Sequence, residues 1–142
     1  MSKKCILVFE KNPHCEDIQI FYDALMENAK VIKGHKPIEF FAFYIRDEEN
    51  KIQGGCNGNT LYGCLYIDNL WVTAALRGKG YGTQLMQAAE QYAIEQNCKF
   101  IAVNTMDWEA LEFYKKLGYF VEFERHGFEK DSIFYFLRKD LL

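Results

Sequence analysis

The chain predicts an α/β domain of the α+β kind: a mixed, mostly antiparallel central sheet flanked by helices. Three observations lead there. Apolar and aromatic runs at 37–46, 51–56 and 60–72 follow one another with only short turns between them, which reads as an antiparallel meander. The run to Val72 is followed by a helix-length periodic stretch and a second short apolar run, 99–104. Strand, helix and strand in that order imply a right-handed parallel crossover. The runs 119–125 and 133–138 then read as a closing antiparallel pair.

Taken in order, Lys4 to Phe9 (Cys-Ile-Leu-Val-Phe) reads as a first short strand, and Pro13 punctuates the turn after it. From Cys15 to about Val31 the apolar residues Ile18, Phe21, Tyr22, Leu25 and Ala29 recur at three- and four-residue steps, the signature of a helix with one apolar face. The polar turn Asp47-Glu48-Glu49-Asn50 separates the first two meander strands, and Asn57-Gly58-Asn59 is a hairpin signal before the third. Gly54-Gly55 within a strand implies close backbone approach or a bulge. Tyr81 to Asn97 is amphipathic: Leu85, Met86, Ala89, Tyr92 and Ala93 share one face, and Gln84, Gln87, Glu90, Gln91 and Glu95 are expected in solvent. A short helix, Glu109 to Leu117, ends at Gly118 as its C-terminal cap.

Composition narrows the function. The 142 residues are expected to form one domain, 1–142, and 49% hydrophobic content is ample for a core. Net charge is −3 with a pI near 5.6, and no long basic run exists, so a nucleic-acid partner is not indicated. The longest apolar run falls well short of a membrane span. Five cysteines, an odd number with no CxxC pair, lead to the expectation of free thiols in a reducing cytoplasm. The three histidines show no ligand spacing, so no metal is expected.

The chemistry concentrates between Asp68 and Glu95. An apolar strand ends at Val72, a connector follows, and three glycines at alternate positions precede a helix. The first N–H groups of a helix lack intrahelical partners, and the macrodipole makes that end positive. Glycines allow the turn and let a phosphate approach the backbone, while Arg77 and Lys79 add charge. The ligand is neither a P-loop nucleotide, for which no Gly-x-x-x-x-Gly-Lys-Ser/Thr run exists, nor a dinucleotide. Counting from Gly78-x-Gly80 the third glycine position is Thr83, and from Gly80-x-Gly82 it is Leu85.

What fits is Arg-x-x-Gly-x-Gly, as Arg77-Gly78-Lys79-Gly80-Tyr81-Gly82. This resembles the pyrophosphate loop of the GNAT superfamily of acetyl-coenzyme A-dependent N-acetyltransferases. Leu70-Trp71-Val72 resembles the family's cofactor strand, and Ala110-Leu111-Glu112-Phe113-Tyr114-Lys115-Lys116-Leu117-Gly118-Tyr119 its penultimate helix and following turn. The three blocks, in order, cover roughly residues 50 to 125. The resemblance implies a GNAT-like fold in which the strand ending at Val72 is splayed from its parallel neighbour. It implies acetyl-CoA as cosubstrate, with Leu70, Trp71 and Val72 offering main-chain groups to the pantetheine arm. Arg77, Gly78, Lys79, Gly80, Tyr81, Gly82 and Thr83 would hold the pyrophosphate, and Tyr114 would serve as the general acid for the leaving thiolate.

The sequence departs from the family at two places. The Asn three residues before the helix Ala is Asp107 here, and a carboxylate mainly accepts. The Glu found in some relatives six residues before the last cofactor-strand position is Tyr66. The base therefore stays open: Asp68 lies two residues on, on the same strand face if no bulge intervenes, with Glu122, Glu124 or a water chain as alternatives. The acceptor, a primary amine of a small molecule or peptide, is also open, as is a non-catalytic acyl-CoA sensor on the same fold. The loop 126–131 is expected to overhang the acceptor site. Phe134-Tyr135-Phe136-Leu137, as an exposed final strand, could pair across a homodimer.

Overall fold

The computed structural model describes residues 3–141 and divides at Pro37/Ile38 into two compact units. In the first, α1 (Cys15–Lys33) is a 19-residue helix with Glu16 and Asp17 in its first turn and Lys30 and Lys33 in its last, each complementing the macrodipole. Gly34, in the left-handed region, closes it through an N–H bond to Lys30 O. The expected strand Lys4–Phe9 is not one: it forms no ladder, and an extended run without a pairing partner is not a strand.

The second unit holds a six-stranded sheet: β1 (Glu39–Arg46), β2 (Ile52–Leu61), β3 (Cys64–Val72), β4 (Phe100–Met106), β5 (Phe120–Arg125) and β6 (Phe134–Asp140), in the order β1-β2-β3-β4-β6-β5. Only β3 and β4 are parallel. Helix α2 (Tyr81–Glu95) makes the crossover between them, and α3 (Leu111–Lys116) leads into β5. Leu85, Met86, Ala89 and Ala93 of α2 meet Leu65, Ile67, Ile101, Val103 and Leu137 of the sheet in one core. No helix among the described residues is long and apolar enough to cross a membrane.

Three expectations are corrected here. The hairpin does not turn at Asn57-Gly58-Asn59; β2 runs straight through it and turns at Tyr62-Gly63, both at positive φ. Gly58 is instead a close approach: a Cβ there would lie 1.8 Å from the Tyr66 carbonyl oxygen. The final strand β6 is not an edge, because β4 pairs with one side of it and β5 with the other, so it has no free ladder for a second copy. Glu90 does not face solvent; it accepts from Lys139 Nζ at 2.9 Å and Tyr119 Oη at 3.2 Å, joining α2 to β6 and the start of β5. Trp71, next to the end of β3, is about half exposed at 52%.

One irregularity organises the rest. Along β2 and β3, Asn57 opposes Asn69 but Gly58 opposes Ile67, so Asp68 is an extra residue with no partner. Core-facing positions accordingly shift from Leu65 and Ile67 before the bulge to Leu70 and Val72 after it. The condition placed on Tyr66 and Asp68 sharing a face therefore fails. The parallel pairing of β3 with β4 stops at Ile67 and Val103; beyond it β3 continues on β2, β4 continues on β6, and the two part.

Gly58→Ala should lower the unfolding free energy by about 3 kcal/mol, since the new methyl meets rigid main chain beside the bulge. Urea denaturation of the variant checks this, and an unchanged midpoint would contradict the close-approach argument.

Candidate active site

Where β3 and β4 diverge, a cleft of about 1050 Å³ opens. One end is the connector after β3. Gly78 and Gly80 take positive φ, +75° and +86°, and a Cβ at either would have nothing within 4 Å. These two glycines bend the turn and leave the backbone bare. Gly82 differs: a Cβ there would stand 3.3 Å from Phe113 Cζ, so the third glycine packs tightly against the residue before Tyr114. The first intrahelical bond of α2 runs from Gln84 N–H to Gly80 O, so the Tyr81, Gly82 and Thr83 amides precede the ladder. The first turn carries no acidic residue and no side-chain cap. With Arg77 beside it, this end of the cleft is positive. Lys79 is exposed and lies outside the cleft wall.

The end of β3 supplies main-chain groups. Thr73 N–H bonds Gln53 O on β2, so the odd-numbered residues turn their amides to β2 and Leu70 and Val72 turn theirs to the gap. The Val72 carbonyl confirms that direction by accepting from Arg77 Nε at 3.1 Å, which also fixes the guanidinium at the cleft rim. Trp71 pairs through its backbone with Gly55, and its side chain stands on the other sheet face.

Tyr114 sits deep in the wall, 4% exposed, with its ring edge-on to Phe113 and Tyr119. Burial raises its pKa above the usual phenol value, and the charges of Glu109 and Cys56 push the same way. Tyr119 is likewise raised, by burial and then by Glu90. Glu109 is held by the Met106 N–H at 3.0 Å. Asp107 binds the Ile133 N–H through its carboxylate and the Ile133 carbonyl through its own N–H, a two-bond tie to the start of β6. An acceptor-only side chain suits that task.

On the opposite wall, Asp68 is exposed on the bulge and lines the cleft. Asn104, which the sequence reading did not single out, donates from Nδ2 to the Tyr66 hydroxyl across the parting strands. Its only sequence signal is a polar residue directly after an apolar strand run. Burial, and then the charge of Asp68, raise the Tyr66 pKa, so this phenol stays a donor. Glu122 pairs with Arg138 and Glu124 with His126, and neither glutamate lines the cleft. None of residues 126–131 lines it either; Phe128 packs edge-on against Phe134, which does. Among the described residues no group of three or more His, Cys, Asp or Glu could hold a metal.

A model of the Acetyltransferase (GNAT) family matches residues 9–119, about four-fifths of the chain. The chain belongs to the GNAT family. It is 38% identical over 85 residues to blasticidin-S acetyltransferase of Streptomyces morookaense, covering 59% of this chain and 62% of that one. The chain spans 55% to 62% of the length of the curated relatives it matches. Among solved structures, an acetyltransferase from Bacillus cereus superposes with a TM-score of 0.77 at 31% identity, over 95% of this chain and 98% of that one. A chain from Agrobacterium tumefaciens, described as an acetyltransferase, reaches a TM-score of 0.84 at 25% identity, covering 96% and 99%. The expected GNAT-like fold, a mixed sheet with one splayed parallel pair, is thus the fold observed.

Two buried thiols, Cys56 on β2 and Cys64 on β3, make the fold alkali-sensitive. Burial raises the Cys56 and Cys64 thiols to about 11. A group whose folded pKa exceeds its unfolded value contributes stability that is complete below the unfolded pKa and lost as pH rises through the folded one. Stability should therefore hold to about pH 9 and fall between about 9 and 11. Urea midpoints across that range check it; a flat profile contradicts it.

Proposed function

We propose that this GNAT chain is an acetyl-CoA-dependent N-acetyltransferase that moves the acetyl group directly to a primary amine of a small molecule or peptide. The observation that carries the reading is a single cleft joining three things: the bare positive end of α2, the main-chain edge of Leu70 and Val72 that no strand covers, and the Tyr114 side chain. Those residues fit a diphosphate, an extended amide-bearing arm and a leaving group, in that spatial order. When bound, acetyl-CoA supplies an activated thioester, whose acetyl carbon an amine attacks as the thiolate departs.

The residues then divide the work. The Tyr81, Gly82 and Thr83 amides and the Arg77 guanidinium bind the phosphates, with Gly78 and Gly80 keeping the approach clear. Lys79 adds long-range attraction from outside the wall. Leu70 and Val72 pair with the arm as an added strand would; Trp71, between them, keeps β3 attached to β2. The Leu70 N–H is the donor aimed at developing negative charge on the carbonyl oxygen.

Tyr114 holds a proton at Oη throughout the neutral range and offers it into the cleft. Its raised pKa keeps the phenol protonated and able to donate a hydrogen bond to the leaving sulfur, while full proton transfer to a thiolate of pKa about 8.5 is uphill. Asp68 takes the amine proton, directly or through water, from the bulge on the facing wall. Orientation supplies much of the rate, because the reacting groups are held together between two strands. The name of the blasticidin-S relative supports a small-molecule amine as acceptor, and the acidic net charge suits a cationic one. Five unpaired cysteines support the cytoplasm as its setting.

A screen of amines with coenzyme A release as readout tests the proposal. Tight coenzyme A binding with no release from any amine would leave only an acyl-CoA-binding protein. Tyr114→Phe should cut kcat about 100-fold while coenzyme A affinity stays within about twofold. Arg77→Ala should raise the KM for acetyl-CoA about tenfold with little change in kcat, since a charge-assisted phosphate contact is lost and the reacting atoms are untouched.

A further inference from the structure

The sheet carries a second recess, of about 440 Å³, that shares Trp71 with the cleft. Its shape follows from register. Tyr44 on β1 opposes Gly55 on β2, and Gly55 opposes Trp71 on β3. The three therefore form one row across neighbouring strands, on the face turned away from α2. That assignment follows from alternation, because Phe41, Phe43 and Ile45 on β1 and Leu70 and Val72 on β3 pack toward the core. Glycine at the centre removes the middle side chain. Two aromatic side chains are left standing on either side of a bare stretch of backbone.

The width is informative. Neighbouring strands lie about 4.8 Å apart, so the Tyr44 and Trp71 Cα atoms are separated by about 10 Å. A planar ring in contact with a wall on each side needs about 7 to 8 Å between the walls, at about 3.5 to 4 Å per contact. An aliphatic chain in the same place meets the walls on fewer atoms. Both walls are accessible, Tyr44 at 56% and Trp71 at 52%. The Tyr44 wall is steadied by the Arg46 guanidinium, 4.9 Å from its ring centroid and itself bonded to the Asn50 carbonyl. At one end the next row is polar: Asn69 donates from Nδ2 to Asn57 Oδ1 at 3.0 Å, and Asn69 also lines the main cleft. The recess is lined by no carboxylate, so it suits the neutral body of a molecule; the carboxylate of Asp68 stands in the cleft beyond Trp71.

We propose that the slot between Tyr44 and Trp71, floored by Gly55, holds a planar aromatic or heteroaromatic ring of the acceptor, whose amine reaches past Trp71 into the cleft on a short linker. This names the acceptor as an amine carried on a planar ring, and it rests on the acetyl-transfer reading above. The shared Trp71 is what connects the two: a ring stacked on it cannot sit far from the strand end where transfer occurs.

The test compares 2-phenylethylamine with n-hexylamine, similar in apolar bulk but differing in the ring. Coenzyme A release should give a kcat/KM about tenfold higher for the aromatic amine. Tyr44→Leu and Trp71→Leu should each bring that value close to the one for hexylamine, and Tyr44→Leu, whose residue does not line the cleft, should keep the KM for acetyl-CoA within about twofold of the unsubstituted protein. Binding is read separately from turnover. The chain has two tryptophans, so the indole N–H signal lost in Trp71→Leu identifies Trp71 in an NMR spectrum. 2-Phenylethylamine should shift that signal saturably, and hexylamine should leave it in place. Equal kcat/KM for the two amines, or an indole signal that the aromatic amine does not move, overturns the slot while acetyl transfer stands. Absence of coenzyme A release from every amine tried overturns the acetyl-transfer reading, and the slot's role as acceptor site with it.

Discussion

The extra residue in β3 is the constraint on which the site depends. A regular antiparallel pair advances one residue for one residue, and Asp68 breaks that count against β2. The strand bends and twists at that point, and its ladder with β4 ends one residue earlier, at Ile67 and Val103. Everything that makes the cleft follows. Leu70 and Val72 are left with amides and carbonyls that no neighbouring strand pairs, the Val72 carbonyl being taken by Arg77 Nε. Gly58 opposite the bulge is forced, because no side chain fits against the Tyr66 carbonyl. The Tyr66–Asn104 bond then ties the two strands by side chains just past the point where their main chains separate.

The parted strands would be of little use without the polarity imposed by α2. The crossover that makes β3 and β4 parallel also delivers the helix N-terminus to the carboxyl end of the sheet, beside the opening. One end of the cleft is thereby positive, through free amides and Arg77, while Asp68 and Glu109 also line it. Tyr114 lies in the same wall beside Phe113 and Tyr119, and its environment favours keeping the proton over giving it up. The Glu90–Lys139–Tyr119 cluster behind it joins α2, β6 and the turn into β5, so the surroundings of Tyr114 are braced by a part-buried ion pair.

Much of this was legible along the chain. Helix periodicity located α2 and its core face, and the sequence around Arg77, Gly80 and Gly82 announced the glycine-rich helix entry and the family. The Gly54-Gly55 pair signalled the close approaches later seen at Trp71 and Phe43 carbonyls. The misreadings share a cause. Asn57-Gly58-Asn59 has turn composition, yet a tertiary demand for a missing Cβ placed glycine there for packing. Glu90 lies on a polar arc of its helix, but Lys139, 49 residues away, covers it. Phe134 to Leu137 looked like an exposed edge because chain order does not reveal that β6 inserts between β4 and β5.

The sequence by itself determined the element types of the second unit, the glycine-rich helix entry and the family, because these rest on interactions among residues close in the chain: periodicity, capping and backbone freedom. The tertiary structure decided where β3 bulges, which main-chain groups are left without a strand partner, and which side chains meet across the gap. Those features depend on pairing register between segments tens of residues apart, and a register is a relation between two strands that neither strand carries alone.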